Sequence, residues 1–281
     1  MIDAAAVRNY RFSDQIHRYT PRDAILYALG IGLGRNPVDP ADLQFLDERA
    51  PSVLPTFAVT LCSPGMWIRD PALGVDFARL VHSAQEAEFL SPLPTAGEVT
   101  ASAKVVSLSD RGAERGAELI LERIIAGDGV TLCRLRQTLL LRGDGGFGGP
   151  PPDRPLPPAI VGEPDIRAAC PISPRSALIY RLSGDWNPLH LDPETARAAG
   201  FDRPILQGLA SYGMAGVAVS RVLERDPSRV AHLACRFAGV VFPGDTLEFL
   251  VWRDGTNGAQ FLGRVGDRTV LSNGRIAWSE E

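Results

Sequence analysis

The sequence predicts an α+β fold in which antiparallel sheet packs against helices. Two observations carry that prediction. Helical signals come first and strand-like alternation follows, and this order occurs twice along the 281 residues. Between the two runs lies residues 143–158, GDGGFGGPPPDRPLPP, with five glycines and six prolines. Such a stretch continues neither a helix nor a central strand, so it reads as a linker or long crossover.

The elements follow in order. Thr20-Pro21-Arg22-Asp23 is a helix start, with threonine as N-cap and proline at the first helical position. Helices are expected at 21–33 and 40–49, then strands at 98–108, 116–125 and 130–141. In the second half, helices are expected at 193–199 and 205–223, with strands at 230–240, 246–253, 260–265 and 269–278. Similar turns, Pro94-Thr95-Ala96-Gly97-Glu98 and Pro243-Gly244-Asp245, precede strands in the two halves. In the second, Leu247, Phe249 and Val251 alternate with Thr246, Glu248 and Leu250, a period near two. Two unrelated small domains would fit this order. A duplicated unit whose sheets join edge to edge fits it better, because order and turns repeat together.

Composition narrows the function classes. The chain is 45% hydrophobic, ordinary for a folded protein. It has no apolar run of about 18 residues, so no membrane span is expected. Met1 to Tyr10 lacks the features of a secretory signal, and the terminal Trp278-Ser279-Glu280-Glu281 is not a peroxisomal address. The expected location is cytoplasmic. The net charge is −4 and no segment is strongly basic, which argues against a nucleic-acid partner. Cys62, Cys133, Cys170 and Cys235 are widely spaced and read as reduced thiols, not as a disulfide or zinc framework.

The chemistry is concentrated in residues 180–213. Asp185, Asn187 and His190 fall within six residues, flanked by Gly184 and Pro188, which disfavour regular structure. A carboxylate and an imidazole close together can take a proton from water and hold that water in place. The Asn187 amide can fix a water or a carbonyl without titrating. Pro204-Ile205-Leu206-Gln207-Gly208 then opens an apolar helical segment, and a helix N-terminus favours developing negative charge. The plainer reading is a turn with one histidine. Asp192 reads as an N-cap and stands outside the site.

The run from Tyr180 to His190, YRLSGDWNPLH, resembles the signature of the MaoC-like, type-2 enoyl-CoA hydratases. The resemblance continues over nearly the whole chain: Tyr27-Ala28-Leu29-Gly30, Pro55-Thr56-Phe57, residues 82–94, Asp110-Arg111-Gly112 and the glycines from Gly143 to Gly149. It implies a double hot-dog fold, two long helices each wrapped by an antiparallel sheet. Residues 1–142 would form a substrate-shaping half, 143–158 the linker and 159–281 the catalytic half. It implies hydration of a trans-2-enoyl-CoA, with Asp185 and His190 activating water, Asn187 orienting it and the Gly208 N–H holding the thioester oxygen. His82, Ser83, Arg111, Trp186, Pro188, Leu189 and Phe237 would contact substrate. Arg111 suits the phosphates of coenzyme A. Read without the resemblance, Arg111 is a surface charge, and His82 and Phe237 are core residues. No metal or redox cofactor is expected, coenzyme A enters with the substrate, and the usual assembly is a homodimer. Four positions depart from the family: Ser83 and Ala84 where glycine and glutamate are usual, Gln207 where histidine is usual, and Arg111 where lysine is usual. A hot-dog thioesterase and a non-catalytic acyl-CoA-binding subunit remain the alternative classes.

Overall fold

The computed structural model describes residues 2–49, 51–153, 160 and 162–280. The first half runs α1 (Ala4–Arg8), β1 (Gln15–Tyr19), α2 (Pro21–Gly30), α3 (Pro40–Leu43), a 3-10 turn at Pro55–Thr60, β2 (Leu80–Phe89), β3 (Gly97–Asp110), β4 (Ala117–Gly127) and β5 (Val130–Leu141). The second runs β6 (Ile166–Pro171), α4 (Ser176–Tyr180), α5 (Pro193–Ala198), α6 (Gly208–Val222), β7 (Val230–Phe237), β8 (Thr246–Asp254), β9 (Gly258–Val265) and β10 (Arg268–Trp278).

All ten strands form one sheet in the order β1-β3-β4-β5-β2-β7-β10-β9-β8-β6. Read inward from either edge, the order is the same, so the sheet is a duplicated five-strand unit. The units meet where β2 pairs antiparallel with β7, from Ala84 opposite Arg236 to Glu88 opposite His232. Each unit thereby covers the other's inner edge, which would otherwise expose unpaired backbone groups. This is the double hot-dog architecture.

The two helices are unequal, which corrects the expectation of two long ones. The second half has α6, 15 residues, but α2 has ten and the position before β2 is occupied by the six-residue turn Pro55–Thr60. That turn packs on α6 by close approach: a Cβ on Gly216 would lie 3.1 Å from the Thr56 methyl. Its end is held by the buried Arg123, whose guanidinium donates to the carbonyls of Leu61 (2.6 Å) and Val59 (3.1 Å). The α6 helix lies on the sheet, its buried Tyr212 hydroxyl donating to Leu233 O at 2.8 Å and its Ser220 hydroxyl accepting from the Trp278 indole at 2.9 Å.

Several boundaries differ from the expected ones for local reasons. The helix expected at 40–49 stops at Leu43, where buried Asp42 is held by Gly34 N (2.7 Å) and Arg221 (2.6 Å). The one expected at 205–223 begins only at Gly208, because Gln207 before it takes a non-helical conformation, ψ 134°; the Leu206 N–H donates to Val241 O at 2.8 Å. Strands β1, β2 and β6 lie outside the expected strands. The inward positions of β2 include Ser83, Gln85 and Ala87, small or polar residues that carry no apolar alternation. The described part of the linker is latched: the Asp110 carboxylate accepts from Gly146 N and Gly148 N, each at 2.8 Å. Its residues 154–158 lie outside the described residues. Among the described residues no helix is long and apolar enough to cross a membrane.

Candidate active site

Two sequence features position Asp185 and His190. Gly184 takes a left-handed conformation, φ 105°, and turns the chain out of a short helical run at Arg181–Ser183. Asn187 then caps a 3-10 turn at Pro188–His190, its Oδ1 accepting from Leu189 N at 3.1 Å. The turn carries His190 back toward Asp185, leaving His190 Nε2 and Asp185 Oδ2 3.8 Å apart. His190 is buried and its Nδ1 lies 2.9 Å from Ile205 O. A carbonyl only accepts, so Nδ1 carries a proton, and in the neutral tautomer that this selects Nε2 faces the carboxylate as an acceptor. At 3.8 Å the two acceptors do not bond each other, and one water off the line between them can donate to both.

The segment after Ile205 completes the site. Gly208 is the first residue of α6, and its N–H is among those no intrahelical carbonyl can satisfy. The Phe237 ring lies directly against it: a Cβ on Gly208 would stand 3.2 Å from two ring carbons. His82 packs edge-on against the same ring, centroids 4.9 Å apart, its Nε2 donating to Ala84 O at 3.0 Å. Burial pushes the His82 imidazole down to about 4 despite that hydrogen bond, so it is neutral near pH 7.

A cleft of about 510 Å³ lies at the join between the halves. Arg111, Arg115, Arg136, Arg236 and Arg275 line it, against the carboxylates of Asp110, Glu86 and Glu118. Ala84, opposite Arg236 in register, and Ala234, opposite Glu86, also line it. Ser83 reaches it from a β-bulge, its hydroxyl donating to Thr138 O at 3.2 Å. Strand alternation puts Arg236 and its neighbour Phe237 on opposite faces of β7, so Arg236 lines the cleft while Phe237 packs on Gly208.

Residues 157–273 match the MaoC like domain and residues 17–143 match the MFE-2 hydratase 2 N-terminal domain. An enoyl-CoA hydratase of Mycobacterium tuberculosis is 40% identical over 264 residues, covering 91% of each chain. The chain belongs to the MaoC-like hydratase 2 family. A peroxisomal enoyl-CoA hydratase 2 of Arabidopsis thaliana is 37% identical over 88% of this chain and 85% of its own. The crystal structure of a MaoC-like dehydratase from Phytophthora capsici superimposes over the full length of both chains, with TM-score 0.84 and 29% identity.

In this MaoC-like hydratase the structure brings together Asp185 with His190, and Gly208 with Phe237 and His82. Ser83 and Arg111 share the cleft. Trp186 is 60% exposed and stacks under the Arg181 guanidinium at 4.7 Å, beside the pair instead of in the cleft lining. Pro188 starts the 3-10 turn and is exposed, while Leu189 is half-buried and its carbonyl accepts from Ile205 N. The Asn187 oxygen accepts from the turn, and its amide N–H groups can meet a water. Arg115, Arg236 and Arg275 were not legible from sequence: their convergence depends on strand register across the two halves, and no local motif marks it.

Proposed function

We propose that this MaoC-like hydratase adds water reversibly to a trans-2-enoyl-CoA, giving the (3R)-3-hydroxyacyl-CoA. One observation carries the reading: the Asp185–His190 gap of 3.8 Å, with the imidazole tautomer set by Ile205, is a holder for one water. That water attacks the β-carbon as hydroxide, its proton passing to the pair. A proton is delivered to the α-carbon on the same face. The Gly208 N–H stabilises the thioester enolate oxygen, where the α6 N-terminus adds favourable potential. Asn187 orients the water through its amide N–H. Arg111 binds coenzyme A phosphate in the cleft, and the first half shapes the acyl pocket together with His82, Ser83 and Phe237. The reaction as written uses no metal or redox cofactor. The working protein is a cytoplasmic homodimer.

The test is a panel of trans-2-enoyl-CoA substrates, followed by loss of the enoyl thioester absorbance and chiral analysis of the product. Hydration to the (3R) alcohol supports the proposal. Release of free thiol without hydration assigns the site to a thioesterase, and binding without turnover assigns it to a non-catalytic subunit.

A further inference from the structure

The residue before Gly208 is unusual for its place. Gln207 is the N-cap of α6 but makes no side-chain bond to its own helix. Serine, threonine or aspartate would be expected to cap it directly. The Gln207 side chain is 1% exposed, and its Nε2 donates at 3.2 Å to Ala177 O in α4. The α4 helix leads through Arg181–Ser183 and Gly184 directly into Asp185. Gln207 therefore bonds the limb that ends in Asp185 to the limb that begins with Gly208.

Its neighbours make the same kind of link. Ile205 O accepts from His190, Leu206 N donates to Val241 O, and Gln207 donates to Ala177 O. Three successive residues are thus fixed to three different segments just before the oxyanion N–H. Gln207 Oε1, meanwhile, is buried with no donor among the described residues, as are the Ser176 and Tyr180 hydroxyls of α4. Unpaired buried polar atoms lower stability. A junction built only for stability would hold apolar side chains here.

We propose that Gln207 is a positioning residue, which keeps the Gly208 N–H in register with the Asp185–His190 pair. The inference rests on the hydratase reading of that pair. A shift of about 1 Å between catalytic groups can cost on the order of a hundredfold in rate, so a clamp of this kind acts on turnover more than on binding.

The experiment follows crotonyl-CoA hydration by the full chain and three variants, with melting temperatures alongside. Wild-type turnover by itself decides the hydratase reading. Gln207→Leu keeps the bulk and removes the donor; it should lower kcat about tenfold or more with KM within about twofold. Gln207→His places a ring N–H within similar reach of Ala177 O and should restore most of that loss. Gln207→Glu serves where the leucine variant does not fold. Its buried acid donates only while protonated, so its rate relative to wild type should fall as pH rises. The proposal is overturned by a folded leucine variant with near-wild-type kcat, by failure of histidine to rescue, or by a pH-independent ratio for the glutamate variant.

Discussion

A methyl group on Gly208 would stand 3.2 Å from the Phe237 ring, closer than packed carbons normally sit. Ring or helix must then give, and the N–H moves with the helix. Gly208→Ala should lower kcat by roughly tenfold or more, and adding Phe237→Leu should recover part of it. Removing the proton-transfer groups should cost more. Asp185→Asn and His190→Ala should each lower turnover by roughly a hundredfold or more in steady-state assays. The double variant should be little worse than either single one, because both act on one water. Independent, multiplying losses would separate the two roles. These residues were legible in the sequence because the chemistry is contiguous: Gly184 supplies the turn, Pro188 the start of the next, and Asp185 and His190 lie five positions apart. Gln207 was legible only as a departure from the family, since its partner Ala177 lies 30 residues away in sequence.

Among the elements, β2 carries the consequences that the sequence hid. Its inward Ser83, Gln85 and Ala87 are not the alternating apolar residues that mark β8, where Leu247, Phe249 and Val251 are all buried. Yet β2 is the strand that joins the halves, and it holds His82 in a site where the imidazole titrates near 4 instead of 6.5. Between those values the unfolded chain binds a proton that the native state excludes. Stability from this group is therefore complete above about 6.5 and is lost as pH falls toward 4. Thermal melts across that range should show a decline that His82→Gln reduces. An unchanged slope would place the acid sensitivity elsewhere. The β3–β4 turn and the end of β7 bring Arg111 and Arg236 into one cleft. Replacing either by alanine should raise KM for an enoyl-CoA several-fold with kcat nearly unchanged, because phosphate contacts are similar in ground and transition states. The same variants should leave KM unchanged for an enoyl N-acetylcysteamine thioester, which has no phosphate.

Across the whole molecule, duplication was readable from the repeated order of helix, turn and strands, and the ten-strand sheet is symmetric about β2 and β7. What the sequence did not reveal is the asymmetry of the helices. Hydrophobic periodicity near residues 40–49 does not distinguish a full helix from a short one pinned by Asp42, and it does not mark the turn at 55–60 that Arg123 holds. The shorter helical elements of the first half fit its proposed role as acyl pocket. Ser83→Gly should accordingly change the ratio of rates on short and long enoyl-CoA chains and leave the pH profile of turnover alone. The central claim, that Asp185 and His190 jointly hold the water added to an enoyl thioester, is tested most directly by hydrating crotonyl-CoA in deuterium oxide and reading the product's configuration by nuclear magnetic resonance. The account predicts a (3R)-hydroxybutyryl-CoA with deuterium and hydroxyl added to the same face, formed by wild type and nearly abolished in Asp185→Asn. A (3S) product, addition to opposite faces, or undiminished hydration by Asp185→Asn would contradict it.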